Sequence, residues 1–165
     1  FRGRPPEALG PDPLNRLRNV QAGAIDKVER PLDLEPLWRC DAGAAHADHV
    51  VTVECRPELA EFAQKNLQHA GVTNVSVEIG DGANGWAQRG PYDAIVVSGS
   101  VPILPDALLQ QLRVGGRLAI VVGEAPVMEA QLITCTDKGV FNTVNLFETV
   151  IPPLDGLTAK SSFSF

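Results

Sequence analysis

The pattern of hydrophobic and polar positions becomes regular from Asp48 onward and predicts a series of buried strands. Compact apolar runs that are rich in β-branched residues are typical of strands in a parallel sheet. Such runs occur at residues 50–53, 94–97 and 118–122, and a further strand is predicted at residues 75–79, where apolar and polar residues alternate.

Helical spacing separates these strands. Apolar residues on one face predict a helix over residues 57–70, which begins at Pro57 and ends before Gly71. A shorter helix is predicted over residues 105–112, followed by a tight turn at residues 114–116. Strands that alternate with helices indicate a parallel sheet.

The last third of the chain changes to two neighbouring strands, residues 130–136 and 140–150. The Asp-Lys-Gly sequence at residues 137–139 suits a hairpin with glycine in the left-handed conformation. The whole pattern predicts an α/β fold of Rossmann-like type. Its mainly parallel sheet has helices on both faces and a C-terminal antiparallel hairpin.

The first 47 residues are irregular by comparison. Leu14, Leu17 and Val20 stand at three-residue spacing and predict a short helix over residues 14–24. Residues 31–34 are expected to be extended before Pro36, which stops any helix there. We expect one domain over residues 1–165, with its regular core in residues 48–165.

Length, charge and cysteine content exclude some classes of function. A length of 165 residues suits one domain, and the net charge of −6 argues against binding a nucleic acid by neutralising its phosphates. No apolar run reaches the ~18 residues of a membrane span, so no membrane partner is expected. The three cysteines lack metal-ligand spacing, which predicts no metal site. With no leader sequence visible, they favour the reducing cytoplasm.

Two acidic residues stand at strand ends, where open α/β sheets bind ligands. Glu54 follows the first regular strand, and its carboxylate could accept hydrogen bonds from both hydroxyls of a ribose. Asp81 lies between Gly80 and Gly82, which permit close approach of a flat ligand, and could accept from the amino group of adenine. The alternatives are a solvated strand-end acid for Glu54 and an Asx-turn residue for Asp81.

Three small residues are further candidates. Cys55 is interpreted as a small residue that lines the ligand pocket rather than as a nucleophile. Ser98 and Ser100 follow the predicted strand at residues 94–97 and could face a reaction centre, or could simply be small turn residues.

The order of these segments resembles the S-adenosylmethionine-dependent methyltransferase fold. More narrowly, it resembles the protein-L-isoaspartate O-methyltransferase family, in a bacterial branch. The resemblance covers about residues 48–165. It is carried by VTVE at 51–54, PELAEFA at 57–63, NL at 66–67, GVTNV at 71–75, GDG at 80–82, YDAIV at 92–96, GGRL at 115–118, GEAPVMEA at 123–130 and LFET at 146–149.

The resemblance implies an S-adenosylmethionine-dependent carboxyl O-methyltransferase that acts on isoaspartyl residues of proteins or peptides, in protein repair. It implies a cofactor site formed by small and acidic residues: Gly43, Glu54, Cys55, Asp81, Gly82 and Ser98. The acceptor carboxylate is already ionised at neutral pH, so proximity and orientation would supply most of the acceleration. No catalytic residue is assigned for this reason.

The resemblance is incomplete upstream. The family's first strand ends in a glycine-rich loop, for which residues 41–44, with Gly43, are the candidate here. Only residues 45–48 separate this loop from the strand that starts at His49. A crossover helix of about ten or more residues does not fit, and we expect about fifteen residues to be missing from this βαβ unit.

Two alternatives therefore stay open. A methyltransferase fold without this loop could be a catalytically inactive binding or regulatory protein. A nicotinamide-dependent dehydrogenase also places an acid after its second strand. The C-terminal hairpin and the Gly-Asp-Gly turn argue against the dehydrogenase.

Overall fold

A computed structural model describes the backbone of residues 17–22 and the whole of residues 47–155. Within these described residues the fold has seven strands and two α-helices. The strands are β1 (Leu17–Ala22), β2 (Ala47–Glu54), β3 (Val75–Ile79), β4 (Tyr92–Val101), β5 (Leu112–Glu124), β6 (Val127–Asp137) and β7 (Val140–Glu148). The helices are α1 (Pro57–His69) and α2 (Asp106–Gln110), with a 3-10 turn at Ala87–Arg89.

The seven strands form one sheet in the order β3-β2-β1-β4-β5-β6-β7. The pairs among β1 to β5 are parallel, and the pairs β5–β6 and β6–β7 are antiparallel. Helix α1 packs against β2 and β3, and α2 packs against β5. The predicted Rossmann-like α/β class and its C-terminal antiparallel strands are confirmed. Because the strand order reverses between β1 and β4, a ligand crevice is expected at their carboxyl ends.

Strand β1 corrects the sequence-based expectation of a helix over residues 14–24. Val20 pairs with Val50 of β2 on one side and with Ala94 of β4 on the other, so β1 lies in the middle of the parallel sheet. Backbone hydrogen bonds to two neighbours outweigh a weak three-residue spacing, which cannot report pairing with distant segments.

The position of β1 bears on the expectation that residues are missing before β2, which stays a prediction. Residues 23–46, a stretch of 24, connect β1 to β2, whereas a crossover needs only about ten to twelve. The candidate glycine-rich loop at residues 41–44 belongs to this connection. This loop, with Gly43, lies outside the described residues.

The α1 helix follows its predicted bounds closely. Pro57 lies in the first turn, where a missing N–H costs nothing. Gly71 follows the helix with φ +68°, a conformation that glycine adopts without strain. The chain then enters β3 at Val75.

The predicted tight turn at residues 114–116 is instead an irregularity inside β5. Tyr92 pairs with Leu112, but the next pair joins Ala94 to Arg117, so β5 carries extra residues there. A Cβ at Gly116 would lie 2.8 Å from the carbonyl oxygens of both Arg113 and Tyr92. The backbone thus approaches too closely for a larger residue.

The predicted hairpin between β6 and β7 is confirmed. Asp137 pairs with Val140 across the turn, and its Oδ1 accepts a hydrogen bond from the backbone N–H of Lys138 at 2.7 Å. Gly139 has φ +73°, which explains why glycine stands at this position.

The apolar core is centred on β2, β4, β5 and β6. Its fully buried side chains come from all four strands: Val51, Val53, Ile95, Leu118 and Ile133. Among the helices of the described residues, none combines the length and the apolar character needed to cross a membrane.

Tyr92 is the largest fully buried side chain, and its hydroxyl donates a hydrogen bond to the carbonyl oxygen of Trp86 at 2.6 Å. Burial is the main reason that the pKa of Tyr92 is raised to about 12; the charge of Arg89 opposes the rise and that of Glu78 adds to it. In the unfolded chain this hydroxyl loses its proton near pH 10.

This difference predicts a loss of stability in alkali. Below about pH 10 the contribution of Tyr92 is complete, and it declines as the pH rises toward about 12, because only the unfolded chain releases the proton there. Urea denaturation of the wild type and of Tyr92→Phe should show a difference in free energy of unfolding that shrinks over this interval. A difference that stays constant would contradict the prediction.

Candidate functional site

The carboxyl ends of β2 and β3 meet at one edge of the sheet. Glu54 is the last residue of β2 and pairs with Ile79, the last residue of β3. The N–H of Gly80 donates to the carbonyl oxygen of Glu54 at 3.0 Å. The two strand-end segments that carry Glu54 and Asp81 therefore start side by side, as the sequence predicts for parallel strands.

The Glu54 carboxylate is buried, with only 3% of the residue exposed. Its Oε1 accepts a hydrogen bond from the backbone N–H of Arg56 at 2.9 Å, and Nε of Arg56 lies 3.9 Å from the same oxygen. Oε2 is also buried but has no hydrogen-bond partner among the described residues. Leaving a buried carboxylate oxygen unpaired is costly, so this atom is suited to accept from a bound ligand.

Asp81 differs from Glu54 because it is exposed. Its Oδ1 accepts from the backbone N–H of Ala83 at 2.9 Å, which is the Asx-turn contact considered as the alternative. This contact orients the carboxylate and uses only one of its two oxygens. A role in binding and a role in shaping the loop are therefore compatible for this residue.

Close packing leaves no room for a side chain at Gly80 and little room at Gly82. A Cβ at Gly80 would lie 2.6 Å from the Cη2 atom of the Trp86 ring, and one at Gly82 would lie 3.3 Å from Cβ of Val53. Trp86 thus packs over the loop, and the loop backbone lies against the end of β2.

Cys55 is exposed beside Glu54, and its thiol donates toward Oε1 of Glu54 at 3.6 Å. Partial desolvation raises the pKa of this thiol, and the hydrogen bond and negative charge of Glu54 raise it further. The thiol is therefore neutral near pH 7, which fits a small lining residue better than a nucleophile.

Ser98 and Ser100 both lie inside β4, which extends beyond the predicted strand at residues 94–97. Ser98 is half-buried, and Ser100 is only 1% exposed. The N–H of Ser100 donates to the carbonyl oxygen of Pro152 at 2.9 Å, and the N–H of Leu154 donates to Ser100 at 3.0 Å. Residues 151–154 cover Ser100, whose Oγ donates to the carbonyl oxygen of Ile151 at 3.3 Å, so a role at a reaction centre stays a prediction.

This segment, residues 151–154, lies at the crevice where the strand order reverses. Both backbone groups of Ser100 bond to it, so it occupies the edge of β4 opposite β5. That is the edge shared with β1, whose last pair is Ala22 with Val96. This position of residues 151–154 was not predicted from the sequence.

Two further residues that sequence reasoning missed contact the loop at Trp86. Gln111 Oε1 accepts from the backbone N–H of Trp86, and the Tyr92 hydroxyl donates to its carbonyl oxygen. Neither residue stands in a motif of strand ends or glycines. Only the folded chain shows that they meet the loop.

The sheet and its strand-end residues are typical of Rossmann-like methyltransferase folds. The structure aligns with that of a protein-L-isoaspartate O-methyltransferase with a TM-score of 0.68 and 24% identity, covering 87% of this chain and 44% of that one. A second match, the Plasmodium falciparum protein-L-isoaspartate O-methyltransferase structure in complex with S-adenosyl-L-homocysteine, has a TM-score of 0.56 and 21% identity. It covers 66% of this chain and 53% of that one.

The sequence identifies the family within this class. Residues 42–154 match the family Protein-L-isoaspartate(D-aspartate) O-methyltransferase (PCMT), and the chain belongs to that family. This result confirms the family resemblance that the sequence motifs indicated.

Curated relatives named protein-L-isoaspartate O-methyltransferase match over most of this chain. The Hyperthermus butylicus relative is 36% identical over 85% of this chain and 58% of its own length. The Koribacter versatilis relative is 40% identical over 84% and 63%, and the Staphylothermus marinus relative is 43% identical over 66% and 48%. The chain therefore spans about half to three fifths of the length of these relatives.

Proposed function

We propose that the chain acts as an S-adenosylmethionine-dependent carboxyl O-methyltransferase on isoaspartyl residues. The observation that carries the proposal is the buried Oε2 of Glu54 at the carboxyl end of β2, which has no hydrogen-bond partner within the described part of the chain. Family membership supports the reaction, and the Plasmodium falciparum relative with S-adenosyl-L-homocysteine supports the cofactor.

The described residues fit this cofactor at its nucleoside end. Glu54 offers a carboxylate oxygen to the ribose hydroxyls, and the preformed loop at Gly80–Gly82 offers backbone surface and the Asp81 carboxylate to adenine. Cys55 and Ser98 are proposed to line the same pocket. Gly43, the candidate for the methionine end, lies outside the described residues.

The cofactor, when bound, supplies an electrophilic methyl group on a sulfonium sulfur. The acceptor carboxylate has an ordinary pKa near 4, so it is ionised at neutral pH and needs no general base. The work of this chain is to bind the two reactants, align them and exclude water. The neutral thiol of Cys55 does not compete as an acceptor, because thiols react as thiolates.

The proposed acceptor is a protein or peptide that contains isoaspartyl residues, and the proposed compartment is the cytoplasm. A reducing compartment suits the two described cysteines, Cys55 and Cys135, which are free thiols. A net charge of −6 makes a nucleic-acid substrate a poor electrostatic match.

Isotopic methyl transfer tests the proposal directly. With labelled S-adenosylmethionine, we expect label on an isoaspartyl peptide and none on the same peptide with an ordinary aspartyl residue. The label should leave as methanol in mild alkali, as expected of a methyl ester. Calorimetry with S-adenosyl-L-homocysteine is the companion measurement. Absence of binding would overturn the proposed cofactor, and binding without transfer would overturn the enzymatic role in favour of a non-catalytic binding protein.

A further inference from the structure

The side chain of Gln111 connects the end of α2 to the loop that follows β3. Its Oε1 accepts from the backbone N–H of Trp86 at 2.8 Å. Its Nε2 donates to the carbonyl oxygen of Asn84 at 2.8 Å and to that of Ala107 at 3.0 Å. Both amide hydrogens and one lone pair are therefore used, and the amide has one orientation that satisfies every partner.

Gly85 makes this contact possible. Its φ of +78° is favourable for glycine, and a Cβ at this position would collide with the Gln111 amide. The N–H of Gly85 also donates to the carbonyl oxygen of Gly82 at 2.9 Å, which closes a turn directly after the proposed adenine-binding residues. The amide of Gln111 thus lies against the backbone of the turn itself.

A second side chain holds the same loop. The Tyr92 hydroxyl donates to the carbonyl oxygen of Trp86 at 2.6 Å, so both backbone groups of Trp86 are bound by side chains from outside the loop. The Trp86 ring in turn lies against Gly80, within 2.6 Å of where a Cβ would be. Contacts therefore run without a break from Gln111 through Trp86 to the segment that carries Asp81.

We propose that Gln111 is a positioning residue for nucleoside binding: it holds the Gly80–Trp86 loop in the conformation that receives adenine. The inference rests on the proposed function. Ordering a flexible loop costs conformational entropy for each residue fixed, and a loop that is already ordered avoids this cost at the moment of binding. Gln111 acts through the loop backbone.

Two substitutions separate positioning from bulk stability. Gln111→Ala removes all three hydrogen bonds. Gln111→Glu keeps an acceptor for Trp86 but sets a carboxylate oxygen against the carbonyl oxygens of Asn84 and Ala107, so it should also release the loop. Gln110→Ala, at the exposed neighbouring residue, is the matched control.

Calorimetry at a temperature where each variant is folded should show about tenfold weaker binding of S-adenosyl-L-homocysteine for both Gln111 variants and no change for the control. In turnover, KM for S-adenosylmethionine should rise by a similar factor, while kcat and KM for the peptide change less than about twofold. In the chain without ligand, the amide of Trp86 should exchange its hydrogen faster in both variants.

The outcomes are distinguishable. If the wild type does not bind S-adenosyl-L-homocysteine, the proposed function fails. If the wild type binds and both Gln111 variants bind equally well, the positioning role is overturned. Equal exchange of the Trp86 amide in wild type and variants would also overturn it, with or without ligand. The positioning role is supported if both Gln111 variants, but not the control, bind S-adenosyl-L-homocysteine more weakly and exchange the Trp86 amide hydrogen faster.

Discussion

Replacing Glu54 by glutamine should weaken binding of S-adenosyl-L-homocysteine by about 100-fold and leave the chain folded. Oε2 of Glu54 is the one buried carboxylate oxygen at this edge without a partner among the described residues. A hydrogen bond to a charged group contributes about 1.5–3 kcal/mol, and 100-fold corresponds to about 2.7 kcal/mol. In glutamine an NH2 group that donates takes the place of the oxygen that must accept.

The fold should tolerate this change because the two side chains have the same shape. The glutamine oxygen can still accept from the backbone N–H of Arg56, as Oε1 of Glu54 does at 2.9 Å. The ion pair that is lost is long, at 3.9 Å, and the Arg56 side chain is 33% exposed, so water can solvate its charge. Thermal unfolding should therefore stay close to that of the wild type.

Calorimetry with wild type, Glu54→Gln and Glu58→Gln measures the effect. Glu58 lies nearby in the first turn of α1 and is exposed, so its substitution changes the net charge equally without changing the pocket. Equal losses of affinity in the two variants would mean that the loss reflects the change in net charge rather than a contact of Glu54. Unchanged affinity in Glu54→Gln would remove Glu54 from the binding site.

The regular core could be predicted from sequence because each of its strands carries a local signal. Residues 50–53 are all β-branched, residues 118–122 are a continuous apolar run, and the turn at residues 137–139 has the residues that a hairpin needs. Strand β1 has no such signal: Leu17–Ala22 contains Arg18, Asn19 and Gln21, and it becomes a strand by pairing on both sides. That pairing joins residues far apart in the chain, which a local pattern does not record.

The candidate site, too, could be predicted only in part from the sequence. The proximity of Glu54 and Asp81 could be inferred, because the carboxyl ends of neighbouring parallel strands share an edge. The burial of Glu54 and its unpaired oxygen could not, since they depend on how neighbouring segments fold over it. The contact of Gln111 with Trp86 spans 25 residues, and that of Ser100 with Ile151 spans 51. In neither pair does the residue type alone indicate the partner.

Replacing Gly99 by alanine should lower the free energy of unfolding by about 1–3 kcal/mol, because it adds a methyl group where no space exists. A Cβ at Gly99 would lie 2.8 Å from Cδ2 and 2.9 Å from the backbone nitrogen of Leu154. The side chain could rotate away. The backbone nitrogen cannot move without breaking its 3.0 Å hydrogen bond to Ser100, which holds the C-terminal segment on β4.

A double-mutant cycle separates these two collisions. Leu154→Ala removes the side-chain collision only, so Gly99→Ala should still destabilise the Leu154→Ala chain, but by less than it destabilises the wild type. Gly90→Ala is the control, because a Cβ there would meet its nearest atom at an ordinary 3.5 Å. Urea denaturation measures all four variants, and hydrogen exchange at the Leu154 amide reports whether the segment detaches. A Gly99→Ala chain as stable as the Gly90→Ala chain, with the Leu154 amide still protected, would show that the segment does not pack against β4 in this way.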